Sequence, residues 1–107
     1  MSWYQIRYRI SKWELIDGIY VPVYLRYSYS VLRFIDDGTY ECEELNIVKR
    51  KLKQSDIVLE LGTGIGFIAA HCAKTIGNEL LNTFEANHLM EPVINELFIK
   101  TRVQPNL

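Results

Sequence analysis

Hydrophobic and polar positions follow a strand-like period in the first third of the chain. Over residues 4–10, aromatic and aliphatic residues alternate with polar ones, which is the period of a half-buried strand. Asp17-Gly18 lies between two short apolar runs and predicts a two-residue hairpin turn. The aromatic and β-branched residues at 24–35 predict another strand, and residues 36–38 predict a turn. We therefore expect residues 1–38 to form a β-hairpin-rich segment.

From residue 40 onward, apolar residues recur at the spacing of a helix. Leu45, Val48 and Leu52 share one face of a first predicted helix, which has acids near its start and bases near its end, as the helix dipole favours. The apolar run at residues 57–61 predicts a strand. The stripe at residues 65–76 predicts a second helix, which Gly77 would end in the left-handed conformation.

The alternation of strand and helix continues toward residue 107. Residues 80–84 predict a second strand, and residues 90–98 predict a helix with Pro92 in its first turn. Residues 103–107 resemble the approach to a third strand. Alternating strands and helices predict an α/β fold with a parallel sheet. Since only two of its strands are clear, we expect residues 39–107 to be the first half of a larger domain.

Composition narrows the class of protein without naming a function. The chain has 107 residues, of which 49% are hydrophobic and 23% charged, as is ordinary for one small globular domain. A net charge of −1 gives no general attraction to nucleic acid or to a membrane surface, and two cysteines predict neither a disulfide framework nor a metal cluster. With no signal peptide and no apolar run of membrane-spanning length, we expect a cytoplasmic chain.

The strongest chemical signal is a glycine-rich loop between the first predicted strand of the second part and its helix. Glu60, Gly62, Gly64 and Gly66 are spaced two residues apart. Glycine permits positive φ and the close approach of a ligand to the backbone. A dinucleotide fingerprint that starts at the first glycine would have its third glycine at position 67, where this chain has Phe67. The spacing therefore disfavours NAD.

Two acids accompany this loop. Glu60, near a strand end, is placed to accept a hydrogen bond from a ligand ammonium; the alternative is a structural carboxylate that caps the N–H groups of the loop. Glu85 lies 23 residues after Gly62, close to the position at which an acid grips a ribose diol in nucleotide-binding βαβ units. The alternative for Glu85 is an acid at a helix start, with Asn87 or His88 as the cap.

Three stretches of the chain together resemble the FkbM family of methyltransferases, which use S-adenosylmethionine (SAM). The stretches are Gly38-Thr39-Tyr40-Glu41 with Glu44, residues 56–66, and Thr83-Phe84-Glu85-Ala86-Asn87. The resemblance implies a Rossmann-like class I methyltransferase fold, here incomplete and preceded by the β-rich segment. It also implies methyl transfer from SAM, usually to a hydroxyl of a small molecule or glycan.

The resemblance also implies roles for individual residues. Glu60, Gly62, Gly64 and Gly66 would hold the methionine part of SAM, and Thr63 within the same loop would also contact the cofactor. Glu85 would hold the ribose, with Ala86 and Asn87 beside the adenosine, and Tyr40 and Glu41 would close over the cofactor. No catalytic base and no metal ligand is identified. The later strands that complete such a site are missing, so we expect a fragment, a truncated reading frame or a remnant.

Three other functions remain open at this point. The chain is alternatively a non-catalytic Rossmann-like module that binds a nucleotide or a partner chain. An NAD-dependent oxidoreductase is disfavoured by Phe67. A β-rich interaction domain within residues 1–38 would have a partner of its own.

Overall fold

The computed structural model describes residues 13–24 and 27–107, and the chain divides into two units, Met1–Tyr40 and Glu41–Leu107. The described residues form a mixed α/β chain with four helices and two small sheets. The strand predicted over residues 4–10 lies outside the described residues. No helix in the described part combines the length and the apolar character needed to cross a bilayer.

An antiparallel hairpin opens the described part of the first unit. Its strands are β1 (Trp13–Ile16) and β2 (Ile19–Pro22). Asp17 and Gly18 connect them with φ of +50° and +83°, the two positive values that a type I′ turn requires. The predicted hairpin is therefore confirmed. The hairpin residues that are buried include Ile16, Ile19 and Val21.

A helix, α1 (Tyr29–Asp37), occupies most of the segment in which residue types predict a strand, so that prediction is wrong. Ser28 is the N-cap, and its hydroxyl accepts a hydrogen bond from a first-turn backbone N–H at 3.3 Å. Leu32 and Ile35, three residues apart, are the buried positions of the helix. Capping and this spacing outweigh the strand propensity of the aromatic residues. Gly38, with φ of +72°, ends the helix where a turn is predicted.

The second unit alternates helices and strands as the sequence predicts. Its elements are α2 (Cys42–Lys51), β3 (Val58–Leu61), α3 (Phe67–Ile76), β4 (Leu81–Phe84) and α4 (Glu91–Thr101), with 3₁₀ turns at Asn78–Leu80 and His88–Met90. Strands β3 and β4 are parallel, and Glu60 lies opposite Thr83. Asn106 forms a parallel bridge with Asn82, so only one residue of the third predicted strand pairs with the sheet.

The helix ends of the second unit follow from local chemistry. The first turn of α2 carries two acids and its last turn three bases, as the dipole argument predicts. Pro92 lies in the first turn of α4, also as predicted. Gly77 ends α3, but its φ of +90° and ψ of +160° lie outside the left-handed region, so the predicted cap conformation is wrong.

The two faces of the β3–β4 sheet differ in burial. Leu81 and Thr83 are fully buried on one face, and α3 packs against β4. On the other face of the sheet, Leu59 and Phe84 are more than half exposed. The buried face and the helices α3 and α4 form the core of this unit. Phe67, the residue that replaces the dinucleotide glycine, is completely buried.

Candidate glycine-loop site

The glycine loop is a tight turn between β3 and α3. Gly62, Gly64 and Gly66 have φ of +86°, +63° and +93°. All three glycines thus adopt the positive φ that a residue without Cβ permits. The Gly66 N–H donates to the Thr63 carbonyl oxygen at 3.0 Å. This hydrogen bond closes a β-turn over residues 63–66, with positive φ at Gly64.

The end of the neighbouring strand holds the start of this loop. The Phe84 carbonyl oxygen accepts two hydrogen bonds, from the Gly62 N–H at 2.8 Å and from the Thr63 N–H at 3.0 Å. The loop is thereby fixed at the carboxyl ends of both parallel strands, where ligands bind in open α/β sheets. A backbone contact of this kind has no signature in the sequence.

Glu85 joins the loop to the turn that follows β4. One carboxylate oxygen, Oε1, accepts from the Gly64 N–H at 2.9 Å, and the other, Oε2, accepts from the Asn87 N–H at 3.0 Å. The N–H groups of Asn87 and then of Gly64 lower the pKa of this carboxyl, because they stabilise its charged form. The loop-capping role that the sequence leaves open for Glu60 is thus filled by Glu85.

Glu60 lies among the residues of the sheet. Its Oε1 accepts from the hydroxyl of Thr83 at 2.5 Å, across the two strands. Burial, and then the nearby charge of Glu60, raise the pKa of the Cys72 thiol on α3 to about 11. Cys72 is a buried free cysteine. Glu60 is therefore half-buried and partnered, on the face of the sheet that bears α3.

The three glycines are required for two different reasons. A Cβ at Gly62 or Gly64 would meet no atom of the described residues within 4 Å, so the backbone there borders open space. A Cβ at Gly66 would lie 2.9 Å from Cε1 of Phe98 and 3.3 Å from Cγ2 of Ile94. The first two glycines leave room for a ligand, whereas the third allows the start of α3 to pack closely on α4.

The loop and the start of α3 present hydrogen-bond donors. Gly66 is the N-cap of α3 and provides no side-chain cap for the first-turn amides. Among the described residues, the Ile65 N–H has no acceptor. The Thr63 hydroxyl is buried and likewise has no partner there. Free donors at a helix N-terminus favour the binding of an anionic group.

A cavity of about 410 Å³ opens beside Glu85, within the size range of ligand pockets. Its lining residues are Phe84, Glu85, Asn87, His88, Glu91, Ile94, Asn95 and Leu107. The Asn87 side chain accepts from the Leu89 N–H at 3.1 Å and caps the 3₁₀ turn there, as the sequence allows. Glu91 and Asn95 are four residues apart and therefore lie on one face of α4, a spacing that is visible in the sequence.

Three further predicted site residues are Ala86, Tyr40 and Glu41. Ala86 is exposed between Glu85 and Asn87. Tyr40 is the last residue of the first unit and Glu41 the first of the second. Glu41 is the N-cap of α2, with φ of +49°, and its carbonyl oxygen accepts from the Leu45 N–H at 2.9 Å. That Tyr40 and Glu41 close over a cofactor stays a prediction.

Comparison of the chain with protein-family models, with curated proteins and with solved structures finds no match. Within residues 13–24 and 27–107, no three His, Cys, Asp or Glu side chains are grouped to hold a metal ion. The chemistry of the site therefore has to be inferred from the loop, its acids and the adjacent cavity.

Proposed function

We propose that this chain is the SAM-binding part of a class I methyltransferase, with an incomplete Rossmann-like fold. The observation that supports this most is the hydrogen bond between the Gly64 N–H and Glu85, which joins the glycine loop to the acid after the next strand. Gly64 and Glu85 are 21 residues apart in sequence. Their contact brings the glycine loop and the acid close enough for one nucleoside ligand to touch both.

The residues present fit the groups of SAM. Gly62 and Gly64 border open space, so the methionine part can lie against their backbone. Glu85 uses one lone pair of each carboxylate oxygen for a backbone N–H, and each oxygen keeps a second lone pair for a ribose hydroxyl. The cavity beside Glu85 gives room for the adenosine.

The chain contributes binding and orientation to the proposed reaction. SAM, when bound, supplies an electrophilic methyl group on a sulfonium, and a hydroxyl of a small molecule or glycan is the proposed acceptor. Fixing two reactants in line provides much of the rate enhancement of such a transfer. No residue of the described part is assigned as the general base that a hydroxyl acceptor requires.

Equilibrium dialysis of the full chain with labelled SAM tests this proposal. We expect saturable binding, and we expect Glu85→Gln to weaken it about 10-fold, the usual effect of losing a hydrogen bond to a charged group. Glu79→Gln is the matched control, because Glu79 is an exposed acid in the turn before β4, at the opposite end of that strand. Circular dichroism establishes that each variant is folded. A folded chain without saturable SAM binding would overturn the proposal.

A non-catalytic binding module is the second candidate. The observation that favours it is that both oxygens of Glu85 already accept backbone N–H groups, as a purely structural carboxylate does. It predicts a folded chain that binds no SAM and in which Glu85→Gln affects only stability. An NAD-dependent enzyme is a weaker candidate, since Phe67 is completely buried where the fingerprint needs glycine. A titration with NADH checks it.

A further inference from the structure

The face of the β3–β4 sheet that points away from α3 is apolar and exposed. Leu59 and Leu61 on β3 are 63% and 76% exposed, and Phe84 on β4 is 55% exposed. Ile57, immediately before β3, is 77% exposed and falls on the same side by the two-residue period of an extended chain. With Asn82, which is also exposed, these residues form what we call the open face. Parallel sheets are normally covered on both faces, so the open face is suited to a partner.

The open face is large enough to be an interaction surface. Side chains of this size at these exposures present roughly 500 Å² of apolar surface, toward the upper end of what a monomeric protein exposes in one patch. Two such patches placed against each other would bury roughly 1,000 Å² in total, the lower limit for a specific interface. The area therefore suffices for a dimer whose dissociation constant is micromolar.

The open face carries no charge. Glu60 is the one charged residue within β3 and β4, and it lies on the opposite face, hydrogen-bonded to Thr83. In an interface between two identical copies the same patch meets itself, so a charged side chain near its centre would face its own like charge. The open face avoids that repulsion, and the net charge of −1 adds little repulsion between whole chains.

Asn82, the polar member of the open face, also suits a second copy. It lies beside Leu59 in the register of the parallel strands. A carboxamide has both donors and an acceptor, so it can pair with an identical amide. A carboxylate or an ammonium group has only one of the two and would need a different residue opposite it. The polar group of this surface is therefore complementary to itself.

We propose that the open face binds the same face of a second copy of this chain. The two sheets pack face to face across a twofold axis, about 10 Å apart, with α3 on the outer side of each sheet. Because the contact is isologous, association stops at two copies. This inference does not depend on SAM binding.

Sedimentation velocity of the full chain, from micromolar to millimolar concentration, tests the proposal with two substitutions. Leu59→Lys places a charge within the open face, and Asn82→Asp replaces the amide by a carboxylate of the same shape. Both positions lie two residues before the strand ends and so away from the glycine loop. Ile99→Lys is the matched control, because Ile99 is 77% exposed on α4. Circular dichroism establishes that each variant is folded.

We expect the parent chain to show a monomer–dimer equilibrium with a micromolar dissociation constant. Leu59→Lys and Asn82→Asp should each raise this constant by about 100-fold or more, because a dimer would bury two like charges against each other. Ile99→Lys should leave the constant unchanged, since its added charge stays in solvent.

A folded parent chain that stays monomeric over this range overturns the inference and leaves the open face to a different polypeptide. Dimers that both open-face variants form as readily as the parent also overturn it, because the contact would then lie elsewhere. An equal weakening by Ile99→Lys has the same consequence, since the effect would not be specific to the open face. Species that keep growing beyond two copies contradict a closed twofold contact.

Discussion

Replacing Gly66 by alanine tests the close packing between the loop and α4. The backbone there has φ of +93°, and the added Cβ would lie 2.9 Å from Cε1 of Phe98. A left-handed conformation costs a non-glycine residue about 1–2 kcal/mol. Overpacking a well-packed core costs about 1–3 kcal/mol. We therefore expect Gly66→Ala to lower the free energy of unfolding by about 2–5 kcal/mol.

Gly64→Ala is the matched control for this substitution. Gly64 also has positive φ, +63°, but a Cβ there meets nothing within 4 Å among the described residues. Only the backbone contribution of about 1–2 kcal/mol applies to this control. The difference between the two variants measures the clash with α4. Phe98→Leu removes the ring atoms involved, so in a double-mutant cycle it should recover part of the loss.

Urea unfolding followed by far-ultraviolet circular dichroism gives these free energies. Fluorescence is unsuitable, since every tryptophan and tyrosine of the chain lies at or before residue 40, outside the unit that contains the loop. Equal destabilisation by Gly66→Ala and Gly64→Ala would refute the packing argument. So would a coupling between Gly66→Ala and Phe98→Leu that is no larger than about 0.5 kcal/mol, the level at which independent sites add.

Three further predictions follow from the acids and thiols of the same unit. The pKa of Glu85 is lowered in the folded chain. The charged carboxylate of Glu85 therefore contributes stability above the ordinary carboxyl pKa, and this contribution is lost as pH falls through the lowered pKa. Acid unfolding of Glu85→Gln should depend less steeply on pH than acid unfolding of the parent. A thiol reagent at pH 8 should modify exposed Cys42 and spare buried Cys72, whose pKa is raised to about 11, and two rapidly reacting thiols in the native chain would contradict its burial. Thr83→Val should destabilise the chain in urea by about 1 kcal/mol or more, because Glu60 loses its hydrogen-bond donor, and an unchanged midpoint would count against that pair.

The periodic pattern of the second unit predicts its elements well. The elements of this unit each fall within a few residues of the predicted segments; they are β3, β4, α2, α3 and α4. The prediction succeeds because a long periodic apolar pattern is a stronger signal than the propensity of any single residue. The failure at α1 has a physical cause. Its aromatic residues favour a strand individually, but the serine cap and two buried positions three residues apart select a helix.

The site was only partly readable from the sequence. The positive φ of the glycines and the approach of Glu85 to the loop follow from spacing and from the parallel sheet. Two features do not. The Phe84 carbonyl that fixes the loop is a backbone group, and the different roles of Gly64 and Gly66 depend on where α4 packs. Contacts between distant segments of this kind leave no periodic signal in a single sequence.

The contact of Gly66 with α4 has a consequence for the affinity of the proposed SAM site. Because the start of α3 rests on Phe98, the core of the unit determines the direction of the loop amides as the chain folds. Their conformational entropy is then lost during folding and not when a ligand binds, which is the advantage of a preorganised site. A core substitution in α4 that touches no ligand should consequently weaken binding. The loop would then keep more conformational entropy in the free protein, and the ligand would have to remove that entropy on binding.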